Sequence, residues 1–143
     1  MKATNKMVLR ILSKPENERF ARTACAAFLL ELDPTLEEMS EIKTAISEAV
    51  TNSVIHGYDG KDGEIVITGK VVERTVTYTI KDNGCGIPDI KKAREPLYTG
   101  KPGSERSGMG FSIMEAFMDE LKVESTPGKG TKITMSKRLC DNA

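Results

Sequence analysis

Residues 64–86 read EIVITGKVVERTVTYTIKDNGCG, and their pattern decides the fold. Glu64 to Val72 and Thr75 to Lys81 are two β-rich runs, and Glu73-Arg74 between them predicts a hairpin. In the second run Val76, Tyr78 and Ile80 alternate with Thr75, Thr77 and Thr79. Successive side chains of a strand point to opposite faces, so this sheet has one buried face and one wetter face. The run then passes into Asp82-Asn83-Gly84-Cys85-Gly86, a carboxylate followed by two glycines at alternate positions.

The flanking segments supply the second layer. Lys6 to Leu12 suits an edge strand, and Pro15 interrupts it. Glu16 to Leu32 predicts a helix, with Phe20, Ala24, Ala27 and Phe28 at helical spacing, broken by Asp33-Pro34. Thr35 followed three residues later by Glu38 is a capping-box signature for a second helix. Met39, Ile42, Ile46, Ala49, Val50 and Ser53 line its buried side, and Gly57 closes it. Downstream, Pro88 suits the start of a short helix, and Glu95 to Ser107 is a loop without periodicity. Gly108 to Met118 returns to helical spacing, before two strands at Leu121 to Ser125 and Thr131 to Ser136. The order β-α-α-β-β-α-β-β predicts an α+β fold. Its form is a two-layer sandwich, with helices on one face of a mixed, mostly antiparallel sheet. At 143 residues, positions 1–143 are expected to form a single domain.

Composition excludes several functions. Lys+Arg and Asp+Glu both number 21, with no basic run, which argues against direct binding of nucleic acid. Cys25, Cys85 and Cys140 are widely spaced and His56 is the only histidine, too few soft ligands for zinc. Free thiols, with no apolar run long enough to span a bilayer, lead to the expectation of a cytoplasmic protein without a membrane partner. Walker-type, dinucleotide, protein-kinase and nucleophile-elbow motifs are all absent.

Three motifs remain, in a fixed order. Glu48 and Asn52, four apart on the second helix, lie about 40° from each other around its axis and share a face. A carboxylate beside an amide oxygen can hold a hard cation such as Mg²⁺ and orient a nucleophile, although a lone E-x-x-x-N is usually a solvated helix face. Asp82 with Gly84 and Gly86 can accept a hydrogen bond from the amino group of adenine and let a flat ligand approach. D-N-G is equally a good turn sequence. Ser107-Gly108-Met109-Gly110 opens a helix, where free N–H groups bind phosphate or merely start the helix flexibly. Lys101 and Arg106 can fold over phosphates, or simply be solvated. In this order, in so short a chain, the motifs read as an ATP site.

These residues resemble the GHKL ATPase superfamily of gyrases and histidine kinases. Glu48 and Asn52 correspond to its N box, Asp82, Gly84 and Gly86 to its G1 box, and Ser107 to Gly110 to its G2 box. Thr131 resembles the threonine that supports the adenine aspartate. The similarity is closer to the small bacterial anti-sigma serine kinases, in particular the anti-sigma-F group of spore-forming Firmicutes. It is carried by residues 16–22 (ENERFAR), 33–58 (DPTLEEMSEIKTAISEAVTNSVIHGY), 82–90 (DNGCGIPDI) and 105–125 (ERSGMGFSIMEAFMDELKVES). The resemblance implies a GHKL (Bergerat) fold and a homodimer that holds ATP or ADP with Mg²⁺. It further implies binding and silencing of a sigma-F type sigma factor, and phosphorylation of an anti-anti-sigma partner on serine.

By that resemblance Glu48 is the general base and Asn52 holds both Mg²⁺ and nucleotide. Asp82, Gly84, Gly86, Ile87 and Thr131 surround adenine, while Lys101, Arg106, Ser107, Gly108, Met109 and Gly110 surround the phosphates. Arg22 falls where the family contacts protein partners. GKPGSERSG (100–108) departs from the family pattern by a small glycine insertion. An anti-sigma kinase of the general stress response (sigma-B type) shares the boxes, and a non-catalytic ATP-dependent binding module is the other alternative.

Overall fold

A computed structural model describes residues 4–95 and 110–141. Five strands, β1 (Asn5–Leu12), β2 (Glu64–Val72), β3 (Thr75–Asp82), β4 (Glu120–Thr126) and β5 (Gly130–Arg138), form one sheet in the order β1-β2-β3-β5-β4. All four pairings are antiparallel, so the expected mixed sheet is wholly antiparallel. Helices α1 (Glu16–Phe28), α2 (Leu36–Asn52), α3 (Ile90–Ala93) and α4 (Gly110–Phe117) complete the described chain.

Register explains the layering. The inward face carries successive rungs across the sheet: Leu9, Ile67, Ile80, Ile133 and Val123 in one, Met7, Gly69, Tyr78, Met135 and Leu121 in the next. Ile42, Ala45, Ile46, Ala49 and Val50 of α2 and Ala21 and Cys25 of α1 are buried in the same core. Gly69 makes room in its rung, since a Cβ there would lie 2.8 Å from the Met7 side chain and 3.1 Å from the Phe28 ring. That gap lets Phe28 meet Tyr78 edge to face, with ring centroids 6.5 Å apart. The Tyr78 hydroxyl donates to the Cys25 carbonyl at 2.7 Å, so its buried polar end is satisfied. Burial pushes the Cys25 thiol up to about 12.

The helix ends differ from expectation in two places. The first helix was expected to run to Leu32, but α1 stops at Phe28, and Leu30–Leu32 form a 3-10 turn before Asp33 adopts φ 51°. Phe20 and Ala27, which share its spacing, face solvent. The second helix regularly hydrogen-bonds only to Asn52, and Ser53–Gly57 continue it as a π-helical turn closed by Tyr58 N–H on the Ser53 carbonyl. At its other end the capping box is formed: Glu38 N–H donates to Thr35 Oγ1 at 3.0 Å and Thr35 N–H to Glu38 Oε1 at 2.9 Å. Glu38 Oε2 also accepts from the Cys140 N–H at 2.7 Å, pinning the C-terminal segment to α2. Burial raises the Glu38 pKa, yet the hydrogen bonds from Thr35 and Cys140 outweigh it and hold the group below its ordinary value.

Three segments cross where α2 meets the sheet end: the π turn, the turn after β3, and the β4–β5 turn. Cys85 N–H donates to the Gly57 carbonyl at 2.8 Å, and Gly128 N–H donates to the Cys85 carbonyl at 2.7 Å. A Cβ on Gly84 would sit 2.1 Å from the Gly57 oxygen, so only glycine fits there.

Two predictions follow from these contacts. Gly84→Ala destabilises the protein by about 3 kcal/mol, a Tm drop on the order of 10 °C by calorimetry; an unchanged Tm would refute the crossing. Glu38→Ala costs about 1–2 kcal/mol at neutral pH in urea titrations. Because the folded pKa of Glu38 is depressed, its contribution is complete above the ordinary glutamate range, about 4.3, and is lost as pH falls through the lowered folded value. The gap between wild type and variant should therefore close on acidification, and a constant gap would disprove the linkage.

Candidate functional site

The inward rung at this sheet end changes character across the strands. It reads Ile11, Ile65, Asp82, Thr131 and Ser125, apolar on β1 and β2 and polar from β3 onward. Asp82 is only 2% exposed, so its carboxylate must be compensated by donors. Ser53 Oγ donates to Oδ2 at 2.6 Å. The backbone N–H groups of Gly84 and Thr131 donate to Oδ1 at 2.9 and 3.3 Å. A carboxylate has about four acceptor positions, so with three donors it retains capacity for one further N–H. An exocyclic amino group of a purine is a donor of the right kind.

Around this centre, Thr131 Oγ1 lies 2.9 Å from Ser125 Oγ, which accepts from Ile87 N–H at 2.7 Å and donates to the Gly130 carbonyl at 2.9 Å. Ile87 is thereby anchored by its backbone while its side chain packs against the core edge. Ser53 and Ser125 were not singled out in the sequence. Their signals were faint: Ser53 appeared only as a buried position of α2, and Ser125 only as a strand end.

Gly84 and Gly86 are also required by the backbone packed around them. The space beside them is filled by protein backbone: a Cβ on Gly86, at φ +77°, would lie 2.3 Å from the Thr126 oxygen. Their lack of side chains serves the crossing of the three segments first. Gly57 does face the carboxylate, since a Cβ there would come within 3.0 Å of Asp82 Oδ2. Cys85 is exposed and its thiol donates to the His56 carbonyl at 3.0 Å, so the histidine's backbone, in the π turn, joins the same crossing.

Glu48 and Asn52 sit half-buried on the last turn and a half of α2, immediately before Ser53. One helix thus carries both the carboxylate–amide pair and the hydroxyl that holds Asp82. Among the described residues no cluster of three His, Cys, Asp or Glu could hold a metal ion. The donor set fits Mg²⁺ only in the form it takes with nucleotides, one or two protein oxygens with the rest from phosphate and water. Gly110 lies in α4, at the edge of the described residues. Lys101, Arg106, Ser107, Gly108 and Met109 lie outside the described residues. Arg22 is elsewhere, on α1, where its guanidinium lies 3.8 Å from Glu18, whose carboxylate in turn accepts from Ser47 of α2.

A family model described as a histidine kinase-like ATPase domain matches residues 11–137. An anti-sigma F factor of Clostridium novyi (strain NT) is 57% identical over 136 residues, covering 94% of this chain and 95% of that protein. One from Thermoanaerobacter pseudethanolicus is 56% identical over 139 residues, covering 97% of each. Among solved structures, the RsbU and RsbW domains of Rv1364c from Mycobacterium tuberculosis match with a TM-score of 0.71 at 23% identity, over 98% of this chain and 34% of that one. A nucleotide-free catalytic domain of histidine kinase ThkA matches with a TM-score of 0.56 at 17% identity, over 93% and 96%. At such identities these structures speak for the fold alone, and it is the α+β sandwich expected from the sequence. No helix among the described residues is long and apolar enough to cross a membrane. With near-complete coverage by relatives of one name and a matching domain over most of its length, the chain belongs to the anti-sigma F factor family, built on the histidine kinase-like ATPase domain.

Proposed function

We propose that this chain binds and silences a sigma factor of the sigma-F type, and that it is also an ATP-dependent protein-serine kinase acting on an anti-anti-sigma partner. It works in the cytoplasm as a homodimer, without contacting nucleic acid directly. The observation that carries the enzymatic part is the continuity of α2: Glu48, Asn52 and Ser53 follow one another on one helix end, and Ser53 is bonded to the buried Asp82. The names of the relatives support the sigma-F type over the stress-response alternative.

In this reading Asp82 uses its remaining acceptor position for the adenine amino group, a contact that guanine cannot make, while Ile87 and Thr131 flank the ring. Asn52 contributes its side-chain oxygen to Mg²⁺, and Gly108, Met109 and Gly110 present backbone N–H groups to the phosphates at the start of α4. Lys101, Arg106 and Ser107 cover them. The metal, when bound, supplies charge neutralisation at the phosphate oxygens. Glu48 accepts the proton of the incoming serine hydroxyl. The serine oxygen forms its bond to the terminal phosphorus as the bond to the bridging oxygen breaks, and the nucleoside diphosphate leaves. Arg22 on α1 meets the protein partners.

Glu48→Gln should lower transfer of labelled phosphate from ATP to the partner serine by about 100-fold or more while ATP and sigma-factor affinities persist. Unchanged transfer would remove Glu48 from its role as base; if even the wild type transfers nothing with nucleotide bound, a purely binding module is the correct reading. Asp82→Asn replaces an acceptor-only group by one that also donates, and should weaken ATP binding at least about tenfold by calorimetry. Equal affinity in folded variant protein would exclude Asp82 as the adenine reader.

A further inference from the structure

The end of the molecule opposite Asp82 carries a feature that the nucleotide chemistry leaves unused. From Thr23 to Ile42 the chain holds Glu31, Asp33, Glu37, Glu38 and Glu41 and no Lys or Arg, in a protein of zero net charge. Glu38 is spent on the capping box, and Glu41 lies 3.7 Å from Lys137. Glu31, Asp33 and Glu37 are exposed and form no ion pair among the described residues. Beside them stand Leu30 and Leu36, 65% and 91% exposed, the two most exposed large apolar side chains among the described residues.

This turn is held rigid. Leu32 and Asp33 N–H groups bond back to the Leu29 and Leu30 carbonyls at 2.9 and 3.1 Å. Arg74 donates to the Leu32 carbonyl at 2.8 Å and to the Cys140 carbonyl at 2.8 Å. Thr35 and Glu38 lock the start of α2. A surface already ordered before binding loses little conformational entropy on association.

We infer that the α1–α2 turn, presenting Leu30 and Leu36 among Glu31, Asp33 and Glu37, is a docking surface for a cationic amphipathic helix of the sigma-factor partner. The inference rests on the proposed function for the identity of that partner and goes beyond it in assigning the surface. A sigma factor holds promoter DNA, and phosphate-binding helices are rich in Lys and Arg. Such a helix complements the three carboxylates, and its apolar side chains seat the two leucines. A second copy of this chain fits less well. Its clustered cations Lys6, Lys70, Lys122 and Lys132 lie on the outer sheet face, and a contact joining that patch to this turn makes a ring or a filament rather than the proposed homodimer.

The test uses the purified sigma-F type factor of the same organism, with ATP present, and two variants, Leu30→Ser/Leu36→Ser and Glu31→Lys/Glu37→Lys. Each should weaken sigma binding by at least about tenfold, and the charge variant should flatten the fall in affinity between about 50 and 200 mM salt. Calorimetry with ATP on the same samples should give wild-type affinity, showing that the fold is intact. If the wild type binds the sigma factor and both variants bind equally well, the docking surface is wrong while the proposed function stands. If the wild type does not bind it, the proposed function falls and this inference with it. A changed sedimentation mass at unaltered sigma affinity would assign the turn to self-association and likewise overturn it.

Discussion

The Asp82 carboxylate is a buried negative charge whose three donors come from three separate stretches of chain: Ser53 at the end of α2, Gly84 in the turn after β3, and Thr131 on β5. An unpaired carboxylate at this depth would be strongly unfavourable, so each donor must be delivered in place before the sheet end can close. That requirement accounts for local features with no other common cause. The π turn over Ser53–Gly57 brings Gly57 against the carboxylate, Gly84 is cramped under the Gly57 carbonyl, and Gly130 adopts φ 128° with no room for a side chain beside the Asp82 carbonyl. The group proposed to read adenine is thus also the one that organises the site's backbone.

Strand patterning carried most of the architecture in readable form, because a period of two on a half-buried sheet leaves little ambiguity. Val76, Tyr78 and Ile80 face inward and the threonines outward, as the alternation demands. The capping box at Thr35 was equally legible, since it is a short-range bond between residues three apart. What could not be read were features set by contacts distant in sequence. Whether the sheet is mixed or wholly antiparallel depends on which strands become neighbours, and β3 pairs with β5 across more than 40 intervening residues. Phe20 obeys helical spacing yet faces solvent, because periodicity identifies a stripe but not what covers it.

The site shows the same division. Glu48, Asn52 and Asp82 stood out through residue type and motif order, whereas Ser53 and Ser125 are ordinary serines until tertiary structure brings them to Asp82 and Thr131. The glycines of the turn were legible as special, but their packing role was not. A glycine that admits a ligand and one that admits another stretch of backbone have the same letter, and here the carbonyls of Gly57 and Thr126 occupy the space.

Helix α2 ties these parts together along a length of about 25 Å. Its N-terminal end is bound through Glu38 to Thr35 and Cys140, its C-terminal end through Ser53 to Asp82, and its middle through Ser47 to Glu18, which also faces Arg22. An element tied at three points moves as a body or not at all. A ligand seated against Asp82 can therefore influence a partner at α1 only by shifting the whole helix against its neighbours or by stiffening it. In either case the coupling is reciprocal: whatever factor the nucleotide imposes on partner affinity, the partner must impose on nucleotide affinity.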